Sequence, residues 1–150
     1  MRRLPLIFLL LISLTLLSCK KSGKPPVVVI GTVIGFDQCS ADIEHDKAHG
    51  YAIKIDSITT RGDTITIDTV VTYNLPNIFE FAHGIFNYYQ FDFLFPDSYR
   101  NKYRFEFSYT VVPDDKKNYP LCKADIFLEP FEAATKGKQI TITNNYGIIP

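Results

Sequence analysis

The stretch KYRFEFSYTV, residues 102–111, decides the fold class. Tyr103, Phe105, Phe107, Tyr109 and Val111 occupy one parity, and Lys102, Arg104, Glu106, Ser108 and Thr110 the other. A β-strand turns successive side chains to opposite faces, whereas a helix would scatter both sets around its circumference. The stretch therefore predicts a strand with an aromatic inner face and a polar outer one.

The same alternation recurs upstream. Tyr51, Ile53 and Ile55 alternate with Ala52, Lys54 and Asp56, and then Ile65, Ile67, Val71, Tyr73 and Leu75 oppose Thr64, Thr66, Asp68, Thr72 and Asn74. Turn-forming residues in SITTRGD, 57–63, join these two segments as a hairpin. Before them, VVVIGTVIGF, residues 27–36, is β-branched and interrupted by Gly31 and Gly35, which predicts a long first strand bulged at its glycines. Downstream, Cys122, Ala124, Ile126 and Leu128 predict a strand with Cys122 facing inward. PFEAATKG, 130–137, fits a helical turn opened by Pro130 and closed by Gly137, and Gln139–Thr143 a last short strand.

Residues 76–101 differ from the rest. They hold nine of the 21 aromatic residues: Phe79, Phe81, Phe86, Tyr88, Tyr89, Phe91, Phe93, Phe95 and Tyr99. Three strands, an aromatic-rich insert, then further strands is the order of a small antiparallel barrel of the oligonucleotide/oligosaccharide-binding (OB) kind, its insert plugging the barrel end. This all-β, OB-like barrel is the expected fold, and a two-sheet sandwich is its rival. The aromatic cluster has two readings. One is a buried plug, since large rings dominate small cores; the other is an exposed binding patch carried by Phe86, Tyr88 and Tyr89.

The amino terminus places the domain. Arg2 and Arg3 precede an uncharged run, Leu4–Ser18, of 15 residues. A bilayer core takes about 20 apolar residues to span, so the run reads as a secretory signal rather than a membrane helix. Its end, Leu16-Leu17-Ser18-Cys19, resembles the lipobox of bacterial lipoproteins, which implies cleavage before Cys19 and acylation of that residue. Plain signal cleavage with release of the domain is the alternative. Residues 1–18 are thus expected to be a lipoprotein signal, 19–26 (CKKSGKPP) a flexible tether, and 27–150 the barrel domain.

Loss of Arg2 and Arg3 with the signal leaves 14 basic against 16 acidic side chains, a net charge of −2. No overall positive field remains to hold a polyanion, so nucleic acid is not an expected partner. With Cys19 assigned to lipid, Cys39 and Cys122 are left as a pair in an oxidising compartment, and a bridge between them is expected over two free thiols.

Several residues carry a further resemblance: Gly31, Val33, Ile34, Gly35, Asp37 and Cys39; Gly50, Tyr51 and Ile53; Tyr73-Asn74-Leu75-Pro76; and Phe107, Tyr109 and Cys122. Together they resemble a group of small lipoproteins common in Bacteroidota, over most of residues 31–128. The resemblance brings no common activity with it. It implies attachment to the cell envelope, on its periplasmic or its outer face; where some such lipoproteins carry acidic residues after the cysteine, this chain has Lys20-Lys21-Ser22. Small barrels of those bacteria can present protease-inhibiting loops, which here would be residues 40–49 and 112–120.

Chemistry-bearing residues are sparse. His45 and His49 in CSADIEHDKAHG, 39–50, would share a face if that loop were helical and could then hold a metal with a nearby carboxylate. A solvated loop of mixed charge is the simpler reading. Arg61-Gly62-Asp63 matches an integrin-binding tripeptide, but glycine and aspartate are also what a turn requires. His83 lies near Glu80 without any nucleophile elbow, zincin helix or phosphate loop. The expected function is a non-catalytic, membrane-anchored module with an unknown protein or glycan ligand and no cofactor. The alternative is a metal-handling protein or enzyme using His45, His49 or His83.

Overall fold

A computed structural model of the chain describes residues 28–42, 44–58, 68–86, 92–122, 129–135 and 137–150. Cys19, the tether, the Arg61-Gly62-Asp63 tip, Tyr88, Tyr89, Phe91 and the expected 124–128 strand positions lie outside the described residues. Among the described residues the strands are β1 (Val28–Phe36), β2 (Ala41–Asp42), β3 (Lys47–Ala48), β4 (Tyr51–Ile58), β5 (Thr69–Thr72), β6 (Arg104–Val111) and β7 (Gln139–Ile148), with one α-helix, α1 (Glu129–Thr135).

Five strands close into a barrel in the order β1-β4-β5-β7-β6, returning to β1, while β2 and β3 form a separate two-stranded ribbon. In barrel strands alone this is the 1-2-3-5-4 order of an OB-like fold, with residues 73–103 inserted after the third strand. The expectation of a wholly antiparallel barrel is corrected at one seam. There β5 and β7 run parallel, pairing Val71 with Gln139 and Thr72 with Ile140. Asn74 lengthens this short seam through its side chain: its amide donates to the Ile142 carbonyl at 2.9 Å and accepts from the Ile142 amide at 2.9 Å.

β1 pairs with both β4 and β6, and its ladder to β4 shifts register at Ile30/Gly31 and at Val33/Gly35, as the glycine spacing predicts. Gly35 is required by close approach. A Cβ there would lie 2.2 Å from the Phe93 carbonyl oxygen, because residues 93–95 run along β1 and bond to Ile34 and Phe36. The final strand runs to Ile148, past the expected Thr143. Gly137, at φ +63°, follows the helix end as the sequence requires.

The barrel interior holds Val29, Val33, Ile53, Ile55, Val70, Phe105, Phe107 and Ile140, and the insert contributes Phe79, Phe86, Phe95 and Tyr103 to the same core. Phe105 and Phe107 stack with centroids 4.4 Å apart, and Phe79 meets Phe105 edge-on at 5.3 Å. A second, smaller core lies on the outer face, where α1 places Phe131 against Ala52, Val71 and Phe93. The helix thereby covers part of the β4–β5 face, the second and third barrel strands, where OB folds commonly take ligands. Cys39 and Cys122 are joined in a disulfide, their Cα atoms 4.8 Å apart.

Candidate functional site

The outer face of β4, β1 and β6 follows from the same alternation that fills the barrel. Ile53 and Ile55 point inward, so Lys54 and Asp56 point outward; Arg104 stands outward beside the inward Phe105. Register then lines them up. Thr32 is the Cα partner of Lys54 on one side and of Arg104 on the other, so Lys54, Thr32 and Arg104 form one row across three strands. At about 4.8 Å between neighbouring strands, the row places Lys54 and Arg104 about 10 Å apart at the backbone.

A wall rises beside this row. Leu94, Arg100 and Asn101 stand over it, and together with Ile34, Asp56 and Pro150 they enclose an open groove of about 670 Å³. Internal contacts orient its charged groups. The Thr32 hydroxyl donates to Asp56 Oδ2 at 2.6 Å, and Arg104 Nε approaches the same oxygen at 3.5 Å. Arg100 Nε donates to the Phe95 carbonyl at 2.8 Å while Nη1 lies 2.7 Å from Asp97. Among the described residues, three cationic side chains thus line the groove against one side-chain carboxylate, Asp56.

A smaller cleft of about 130 Å³ lies between α1 and the segment 117–120, beside the disulfide. At its edge Asp37 is buried, accepting from the Tyr73 hydroxyl at 2.6 Å and from the Cys39 amide at 3.0 Å. Burial pushes the Asp37 carboxyl above its ordinary range, and these two hydrogen bonds pull it partly back. Burial and the neighbouring Asp37 together push the Tyr73 hydroxyl upward. Lys117, which also lines the cleft, is already engaged by Asp114.

The sequence-derived candidates fall elsewhere. Phe86 is 1% exposed and packs edge-on against Phe36 and Phe81, so it presents no face to a ligand. The loop 39–50 is a 3-10 turn and a β-ribbon rather than a helix, which removes the shared helical face for His45 and His49. His45 Nδ1 lies 2.9 Å from Asp42, and His83 Nδ1 lies 2.7 Å from Asp46 rather than meeting Glu80. Among the described residues no three or more His, Cys, Asp or Glu side chains group as metal ligands.

Sequence reasoning placed Lys54, Asp56 and Arg104 on outward faces but attached no role to them. The signal was present in their parity; what was lacking was which strands are neighbours. In the 112–122 arm, Tyr119 and Leu121 stand 70% and 90% exposed. The arm is braced at Asn118, whose amide donates to Gln139 Oε1 and whose carbonyl accepts from Gln139 Nε2. Compared with family models, curated proteins and solved structures, the chain matches none.

Proposed function

We propose that the protein is a non-catalytic binding module of the cell envelope, held to the membrane by lipid on Cys19 and taking its ligand in the β4–β1–β6 groove. One observation carries the ligand site: a preformed, charge-lined groove of about 670 Å³ built on strands that are each paired on both sides. Sites on such elements keep their geometry without the entropy cost of ordering loops. The anchor rests on the apolar run, its length and the lipobox-like ending at Cys19.

Immobilised full-length chain should retain envelope material that a Lys54→Glu, Arg104→Glu variant releases. Equal retention by both would remove the groove from this reading. The anchor is tested separately: globomycin should arrest processing, and labelled palmitate should enter the wild type but not Cys19→Ser. Normal processing with no label would leave a released domain.

A second reading is favoured by the exposed Tyr119 and Leu121. A braced arm showing two bare apolar side chains suits a protein partner, and inhibition of a secreted protease is its specific form. Inhibition of some member of a protease panel, lost in Leu121→Ala, is the expected outcome. An inactive protein across the panel would end that form.

A further inference from the structure

We propose that the groove binds an acidic saccharide through its carboxylate or sulfate groups, an inference that rests on the groove being the ligand site. The lining charge is the first ground. Among the described residues, Lys54, Arg100 and Arg104 face a single lining side-chain carboxylate, Asp56, in a chain whose basic and acidic residues number 16 each. Asp56 is shared between Thr32 and Arg104, and Asp97 engages Arg100 from the rim, whereas no carboxylate among the described residues meets Lys54.

Unused hydrogen-bonding capacity is the second. A guanidinium carries five N–H donors. Arg100 directs Nε and Nη1 to Phe95 and Asp97, and Arg104 directs Nε to Asp56. Arg100 is thereby held by two contacts and Arg104 by one, and their remaining donors are left for a carboxylate or a sulfate, which a guanidinium can meet in bidentate fashion. Lys54 adds a point charge two strands away along the row, so anionic groups on successive units of one chain can be met together. Asn101 also lines the groove and offers an amide to hydroxyls.

The lining also decides between classes of polyanion. β4, β1 and β6 each have a hydrogen-bonded neighbour on both sides, so no strand edge is open to an extended acidic peptide. Among the described residues no aromatic ring lines the groove, so they offer single-stranded nucleic acid no stacking platform. A neutral glycan, which also relies on ring stacking, is served no better. An acidic saccharide needs neither a strand edge nor a ring.

The test is titration calorimetry of the full-length chain in detergent with four probes. These are an oligogalacturonate tetramer, a heparin-derived tetrasaccharide, the methyl ester of the oligogalacturonate, and a glutamate hexapeptide. Binding of either acidic saccharide is expected, weakening with added salt. Lys54→Ala should weaken it about tenfold, the equivalent of one charge-assisted contact, with an unchanged melting temperature. Binding of the oligogalacturonate assigns carboxylate recognition, and binding of the heparin fragment alone assigns sulfate. Equal binding of the methyl ester, still sensitive to Lys54→Ala, would overturn the acidic requirement while leaving the groove a ligand site. Binding of the peptide alone would overturn the saccharide class. Silence from all four probes would overturn the inference entirely, and the envelope-retention comparison would then decide whether the groove takes any ligand.

Discussion

Two rows of side chains on the same three strands do opposite work. The inner row, Ile53, Val33 and Phe105, is fully buried; the outer row, Lys54, Thr32 and Arg104, forms the groove. Each member of one row is the chain neighbour of a member of the other. A single-residue step along a strand therefore separates a position that holds the barrel closed from one that meets the ligand. Stability and recognition can be changed independently here because the pleat isolates them. The outer face is itself divided. Ala52, two residues before Lys54, lies under Phe131 and Phe93 in the second core, so the groove begins where that cover ends.

The largest effect should break both rows together. Cys39 and Cys122 close a loop with a sequence separation of 83, so replacing both with serine should cost about 4 to 5 kcal/mol in denaturant unfolding. A loss below about 1 kcal/mol would deny the bridge this role in stability. Next, Phe105→Ala should cost about 3 to 5 kcal/mol, since the ring is wholly buried against Phe79 and Phe107. The folded fraction should keep wild-type ligand affinity. A change in affinity per folded molecule would show that the two rows are coupled.

A smaller effect appears with pH at Asp37. Burial raises its carboxyl above the ordinary value of 3.8, so the folded protein holds this proton more tightly than the unfolded chain does. The resulting stability is fully present below pH 3.8 and is lost as pH rises through the raised folded value. Asp37→Asn keeps an acceptor for the Tyr73 hydroxyl and should flatten that part of the stability profile relative to wild type. Identical profiles would show that Asp37 titrates alike in both states. Smallest of all, Lys54→Ala should leave unfolding free energy within about 0.5 kcal/mol of wild type, as expected of an exposed position. A larger loss would make Lys54 part of the barrel's own support.

The strands were legible because a half-buried strand writes its two faces into the sequence at period two. Phe105/Arg104 and Ile53/Lys54 are such cases. The plug reading of the insert holds for Phe79, Phe86 and Phe95, which are buried in the barrel core, whereas Phe93 is buried in the outer one. What sequence could not supply was adjacency. Thr32, Lys54 and Arg104 meet only because β1 lies between β4 and β6, and Arg100 joins them only because the insert returns along β1. At 39–50 the helical alternative for His45 and His49 was conditional, and the segment forms the β2–β3 ribbon instead. Its histidine spacing fits a helix, but hydrogen bonds from Ser40 to Asp37 and from Gly50 to Ser40 fold it back on itself.

The parallel seam carries a consequence for motion. Among the described residues two residue pairs join β5 to β7, and Asn74 meets Ile142, two residues beyond the last of them along β7, with a side chain instead of a strand. Releasing the Ile142 amide needs only the Asn74 carboxamide to turn away from it and from the Thr72 hydroxyl, which donates to the same oxygen at 2.8 Å, a far smaller event than unzipping a ladder. Amide exchange at Ile142 should therefore run ahead of exchange in β1 and β4, and Asn74→Ala should quicken it further. The same seam joins segments 68 residues apart in the chain, a long loop to close before any contact rewards it. A barrel with no free edge thus has a weakest stave, latched by one carboxamide.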